Sequence, residues 1–137
     1  MIEVIGWVLL VKGSNIFLLK NESGLGYEWA LVGGHVKVDE SIRGALKREV
    51  YEEVGVLVKE EDMSLQHIID RRLKGLHKIH FFFLTEIWEG DPYNKEKDIH
   101  LDGKWYPLNN LPLDLGPLAS STIQSINKKT IYQEYGW

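Results

Sequence analysis

Between Asp39 and Val54 the hydrophobic pattern changes from that of a strand to that of a helix. Ile42, Leu46, Val50 and Val54 recur every four residues, with Ala45 between them. A helix gathers such positions into one buried stripe. Asp39 is placed to cap its start and Gly55 to end it. On either side the chain reads as strands. Ile2 to Val11 is apolar and rich in β-branched residues, Gly13-Ser14-Asn15 makes a turn, and Ile16-Phe17-Leu18-Leu19 completes a hairpin. A loop over Asn21 to Gly26 leads to Tyr27-Glu28-Trp29-Ala30-Leu31-Val32 and the pair Gly33-Gly34. Leu65 to Asp70, Ile79 to Trp88 and Lys104 to Leu108 predict further strands. Pro117 opens a closing helix to about Tyr132, with Ala119, Ile123 and Ile126 spaced to pack on the sheet. This order predicts an α/β domain over residues 1–137, with a mixed β-sheet between helices.

The chain has 137 residues and no cysteine, which excludes disulfides, thiolate zinc sites and a cysteine nucleophile. Any metal must be held by oxygen or imidazole. With 16 Lys+Arg against 20 Asp+Glu, the net charge of -4 disfavours an obligate nucleic-acid coat or a binder of anionic membranes. No apolar run approaches the roughly 20 residues a membrane span needs, and Met1 to Gly6 carries no basic signal-peptide region. A soluble cytoplasmic protein is expected.

On a helix, Glu49, Glu52 and Glu53 fall within an arc of roughly 100°. Carboxylates this close repel, and they sit toward the helix C-terminus, where the macrodipole already disfavours negative charge. A divalent cation turns that penalty into binding. Mg²⁺ or Mn²⁺ takes carboxylate oxygens and keeps positions for water and substrate phosphates, so a pyrophosphate is the natural client. Gly33-Gly34 precedes the helix, where residues without Cβ let a ligand approach, and Arg48 stands beside Glu49 to orient it or meet phosphate. The competing reading is a solvated acidic face paired with Arg43, Lys47 and Arg48.

From Gly34 the chain reads Gly34, five residues, Glu40, seven residues, Arg48-Glu49-Val50, Tyr51, Glu52-Glu53, Val54, Gly55-Val56. This resembles the complete Nudix box, Gly-x5-Glu-x7-Arg-Glu-U-x-Glu-Glu-x-Gly-U, where U is bulky and aliphatic. Every specified position agrees. The resemblance implies the family's α/β/α sandwich, and hydrolysis of a nucleoside diphosphate linked to another moiety. It implies Mg²⁺ or Mn²⁺ held by Glu49, Glu52, Glu53 and the backbone carbonyl of Gly33, with Gly34, Arg48 and Glu40 supporting. The proton of the attacking water would pass to a box glutamate, Glu49 or Glu53, or to a carboxylate from a distant loop. Many relatives carry Pro where this chain has Val32.

The stretch Pro92 to Trp105 is similar to the Asn-x-Glu-Pro-x-Lys loop and Trp strand of a subgroup acting on nucleoside triphosphates or nucleotide sugars. Asn94, Glu96, Asp102 and Trp105 match, whereas Lys97 and Ile99 replace the usual Pro and Lys. Glu96 and Asp102 are thus candidates for an outer metal ligand or the base. His35, Tyr27 and Trp29 are candidates for phosphate or base contacts, against the alternatives of an exposed loop and core packing; Phe82 is weighed the same way. Arg71, Arg72, Lys74, His77, Lys78 and His80 either steer a polyphosphate or form a solvated hairpin, and His67 and His100 have no partner spacing for zinc.

The sequence therefore predicts a metal-dependent pyrophosphohydrolase for a nucleoside triphosphate, oxidised or not, or a nucleotide sugar. The alternative is a non-catalytic nucleotide sensor on the same fold, although a retired enzyme would be free to lose the acidic positions. Small nucleotides are the expected partners and RNA ends are disfavoured. The first hairpin or the last helix offers apolar surface for a homodimer, and the aromatic tail Tyr135-Gly136-Trp137 is expected to dock on its own or a neighbouring subunit.

Overall fold

A computed structural model describes all residues except Ser23, Leu25, Tyr27 and Asn127. The strands are β1 (Ile2–Lys12), β2 (Asn15–Lys20), β3 (Trp29–Ala30), β4 (Val32–His35), β5 (Ser64–Leu73), β6 (Leu76–Thr85), β7 (Asp102–Pro107) and β8 (Tyr132–Tyr135). The helices are α1 (Ile42–Val54) and α2 (Pro117–Ser125), with a 3-10 turn at Glu60–Asp62.

Strand β1 is apolar on both faces, so its side chains alternate between two cores. Val8 and Leu10 pack with Leu46, Val50 and Val54 of α1; Leu9 and Val11 pack with Ala119 and Ile123 of α2. Phe83 joins the first core and Phe82 the second. The predicted sandwich, a sheet between helices, follows from this double burial. The sheet is mixed: β1 runs parallel to β6 and antiparallel to β4, while β5 runs antiparallel to β6 and parallel to β8. Strand β2 pairs with β1 only at Val11↔Ile16 and Lys12↔Asn15, then diverges to pair with β3 and β7. Because β1 and β2 are buried through most of their length, the first hairpin does not offer the apolar dimer surface expected of it.

Three local expectations are corrected. Ser41, not Asp39, caps α1: its hydroxyl accepts from the Gly44 amide at 3.0 Å. Ser41 directly precedes the first helical residue, whereas Asp39 lies in the turn before it. Helix α2 stops at Ser125 rather than near Tyr132, because the following segment becomes β8 and covers the edge of β5. Strand β6 ends at Thr85, short of Trp88.

The tail docks on its own chain. Trp137 Nε1 donates to the Asp70 carbonyl at 3.1 Å, and the guanidiniums of Arg72 and Arg71 lie over the rings of Trp137 and Tyr135. The basic run thus forms a hairpin whose turn places Lys74 and Gly75 at φ 47° and 81°. Its charges are largely engaged: His77 meets Asp70, Lys78 meets Glu3, and His80 is buried, with its pKa lowered to about 4 chiefly by that burial. Among the described residues no helix is long and apolar enough to cross a membrane.

Ser41→Ala is expected to cost about 1 kcal/mol, or roughly 3–5 °C in Tm. Asp39→Ala should stay within about 0.5 kcal/mol. Thermal unfolding of the two variants checks the cap assignment.

Candidate active site

The C-terminal half of α1 faces β4 on one side and the loop before β7 on the other. Val54 and Glu53 anchor that loop through their backbones, accepting from the amides of Tyr93 at 3.2 Å and Lys95 at 3.0 Å. The Glu53 side chain turns inward and is only 7% exposed as a residue. Its Oε1 accepts from the Gly33 amide at 2.8 Å, and its Oε2 lies 3.0 Å from His100 Nε2. Glu53, Glu96 and His100 each bring one potential ligand atom within 4.8 Å of the others. His100 is steadied from behind, with Nδ1 against Asn21 Oδ1 and its carbonyl accepting from Asn94 Nδ2 at 2.7 Å.

Arg48 organises the outer carboxylates. Its Nε and Nη2 donate to the two oxygens of Glu40 at 3.1 and 2.7 Å, and its Nη1 donates to Glu49 at 2.8 Å and Glu52 at 3.4 Å. Glu40 also accepts from the Lys37 amide at 2.9 Å, which ties the helix to the loop ahead of it. Gly34 leaves room for the same packing: a Cβ there would come within 2.7 Å of the Glu49 carboxyl and push it aside.

These surroundings move the carboxylates in opposite directions. The Arg48 hydrogen bonds hold the Glu40 pKa at about 2. Burial pushes Glu49 up against the pull of Arg48, with Glu52 and Glu96 adding repulsion. Burial likewise pushes Glu53 up, outweighing His100 and the Gly33 amide. Carboxylates and an imidazole, without thiolate, form a donor set that suits a divalent cation. The convergence of Glu53, Glu96 and His100 shows that the residues present fit such an ion.

The structure places Gly33, Gly34, Glu40, Arg48, Glu49, Glu52, Glu53 and Glu96 in one neighbourhood. Glu52 is its most open carboxylate. Among the described residues, Arg48 pairs with the acidic face, whereas Arg43 Nε donates instead to the Met63 carbonyl. Asp102 stands apart, accepting from the Gly103 amide at 2.8 Å and lying 3.5 Å from Lys104 Nζ. Trp29 is buried, edge-on to Tyr106 in the α2-side core, and Phe82 is buried in the same core. The His35 imidazole points outward to Glu3 at 3.3 Å, and only its carbonyl meets Arg48. Tyr27 lies outside the described residues. The sequence reading missed His100 and Asn21. The only local signal was the i,i+4 spacing of Glu96 and His100; their approach to Glu53 is tertiary.

A raised carboxyl pKa means that ionisation opposes folding, so this contribution falls as pH climbs above the ordinary 4.5 through the raised value. Glu40 acts the other way, stabilising above 4.5 and losing that effect as pH falls toward about 2. In EDTA, Glu53→Gln should raise Tm at pH 7 and flatten its decline as pH rises above 4.5. Differential scanning calorimetry reads both.

Residues 3–126 match the family model of the NUDIX domain. The chain is similar to an 8-oxo-dGTP diphosphatase of Buchnera aphidicola, 36% identical over 106 residues that cover 75% of this chain and 80% of that protein. It is also 29% identical over 105 residues to the NAD-capped RNA hydrolase NudC of Pseudomonas aeruginosa, covering 77% of this chain but only 36% of that protein. Among solved structures, a MutT NUDIX hydrolase from Burkholderia pseudomallei superposes with a TM-score of 0.83 at 25% identity, over 92% of this chain and 98% of that one. The sandwich, the intact box and these matches agree: the chain belongs to the NUDIX family of hydrolases.

Proposed function

We propose that this chain is a divalent-metal-dependent pyrophosphohydrolase that cleaves a phosphoanhydride of a nucleoside triphosphate, with oxidised purine nucleotides the foremost candidates. The observation that carries the reading is the buried Glu53 carboxylate, held between the Gly33 amide and His100 beside the other carboxylates of α1. The similarity to an 8-oxo-dGTP diphosphatase supports the triphosphate over a nucleotide sugar.

Glu49, Glu52, Glu53 and the Gly33 carbonyl are the residues that would hold Mg²⁺ or Mn²⁺. Such ions neutralise pyrophosphate oxygens and lower the pKa of water for in-line attack on phosphorus. Arg48 holds Glu49 and Glu40 in place, so that the acidic patch keeps its shape without substrate. Glu53 and Glu49 are the carboxylates of α1 that would take the proton of the attacking water. Glu96 can serve from the facing loop, whereas Asp102 is committed to its own strand. We place this work in the cytoplasm, on small nucleotides.

The deciding experiment is a screen of nucleoside triphosphates, 8-oxo-dGTP, nucleotide sugars and NAD-capped RNA with Mg²⁺ or Mn²⁺, with products identified by mass. Binding of nucleotide with no product from any of them would favour a sensor. On the preferred substrate, EDTA should abolish turnover. Glu53→Gln should lower kcat by about 10²–10⁴-fold with the fold intact by circular dichroism. Glu96→Ala should cost at least about tenfold, and Asp102→Ala less than about threefold; equal effects would remove Glu96 from the site.

A further inference from the structure

Among the described residues His100 is the imidazole that joins the carboxylates of α1, and the family's box does not account for it. Its Nε2 lies 3.0 Å from Glu53 Oε2 and 3.9 Å from Glu96 Oε1, and its side chain is 8% exposed. Its Nδ1 faces Asn21 Oδ1, an oxygen that can only accept, so Nδ1 donates there. Nε2 is then the ring atom directed at the carboxylate oxygens. One potential ligand atom from each of Glu53, Glu96 and His100 lies within 4.8 Å of the other two, a spacing that a single cation can bridge. Adjacent ligand atoms around an octahedral ion with bonds of about 2.1 Å are roughly 3.0 Å apart and opposite ones roughly 4.2 Å. The two spans here fall within that range. A histidine that binds a metal through one ring nitrogen almost always donates the other to an oxygen, as His100 does to Asn21.

We propose that His100 is a metal ligand of this chain's centre, its Nε2 sharing a divalent cation with Glu53 and Glu96 while Asn21 fixes the ring. This assignment rests on the metal-dependent reading given above. Its consequence is selectivity. An imidazole among carboxylates favours Mn²⁺, Co²⁺ or Zn²⁺ over Mg²⁺, which prefers oxygen alone. The subsite next to the facing loop is therefore a transition-metal subsite.

Pulsed EPR of the Mn²⁺-loaded full chain tests this without relying on activity. The wild-type spectrum should show nitrogen modulation from a bound imidazole, and labelling histidine with ¹⁵N should change it. His100→Gln should remove the modulation and weaken Mn²⁺ binding by about 10–100-fold, with a smaller loss for Mg²⁺ by calorimetry. His35→Gln should leave the spectrum unchanged. Bound Mn²⁺ surrounded by oxygen alone in the wild-type protein would overturn the role of His100 and leave the carboxylate centre standing. No bound Mn²⁺ in the wild-type protein would overturn both readings. Because the labelled wild-type spectrum decides the matter, a poorly folding His100→Gln protein does not prevent the test.

Discussion

The Glu53 carboxylate is withdrawn from solvent at the junction of α1, β4 and the loop before β7, and an ionised carboxylate there needs hydrogen bonds or a counter-charge. The Gly33 amide supplies one hydrogen bond to Oε1, and His100 closes on Oε2. These contacts fix the position of three segments far apart in sequence. The rest of the site is arranged around that point. Glu96 enters with the loop whose backbone binds to Glu53 and Val54, and Gly34 leaves room for Glu49.

Such a centre costs stability. Burial raises Glu49 and Glu53 against the hydrogen bonds they receive, so the metal-free fold carries uncompensated electrostatic work. The two cores on either side of β1 bear that load, with large side chains such as Leu9, Leu10, Leu46 and Phe82 almost wholly buried. Arg48 relieves the outer part of the patch by engaging Glu40, Glu49 and Glu52 together. Site and scaffold are thus coupled through one helix, whose apolar face builds the first core and whose acidic face meets the loops.

Much of this was legible in the chain. The stripe Ile42, Leu46, Val50 and Val54 identified α1 because helical periodicity is a local property, and the box spacing located Glu40, Arg48, Glu49, Glu52 and Glu53 for the same reason. Strand β8 was read as the end of a helix. Its reason for being a strand is the open edge of β5, more than sixty positions earlier in the chain. Trp29 and His35 were weighed as ligand contacts because a one-dimensional reading cannot tell a cleft from a core. The fold puts Trp29 against Tyr106 and turns His35 to Glu3.

By itself, then, the sequence determined the helix that carries the acidic residues, the double-faced apolar strands that demand a layer on each side, and the family. These depend on spacings within a few turns of chain. Only the tertiary structure decided that His100 and Asn21 stand behind Glu53, that Glu96 rather than Asp102 faces it, and that the aromatic tail closes the sheet on its own chain. Contacts between residues tens of positions apart are selected by competition for burial and for unpaired backbone edges, and no local pattern records which partner wins.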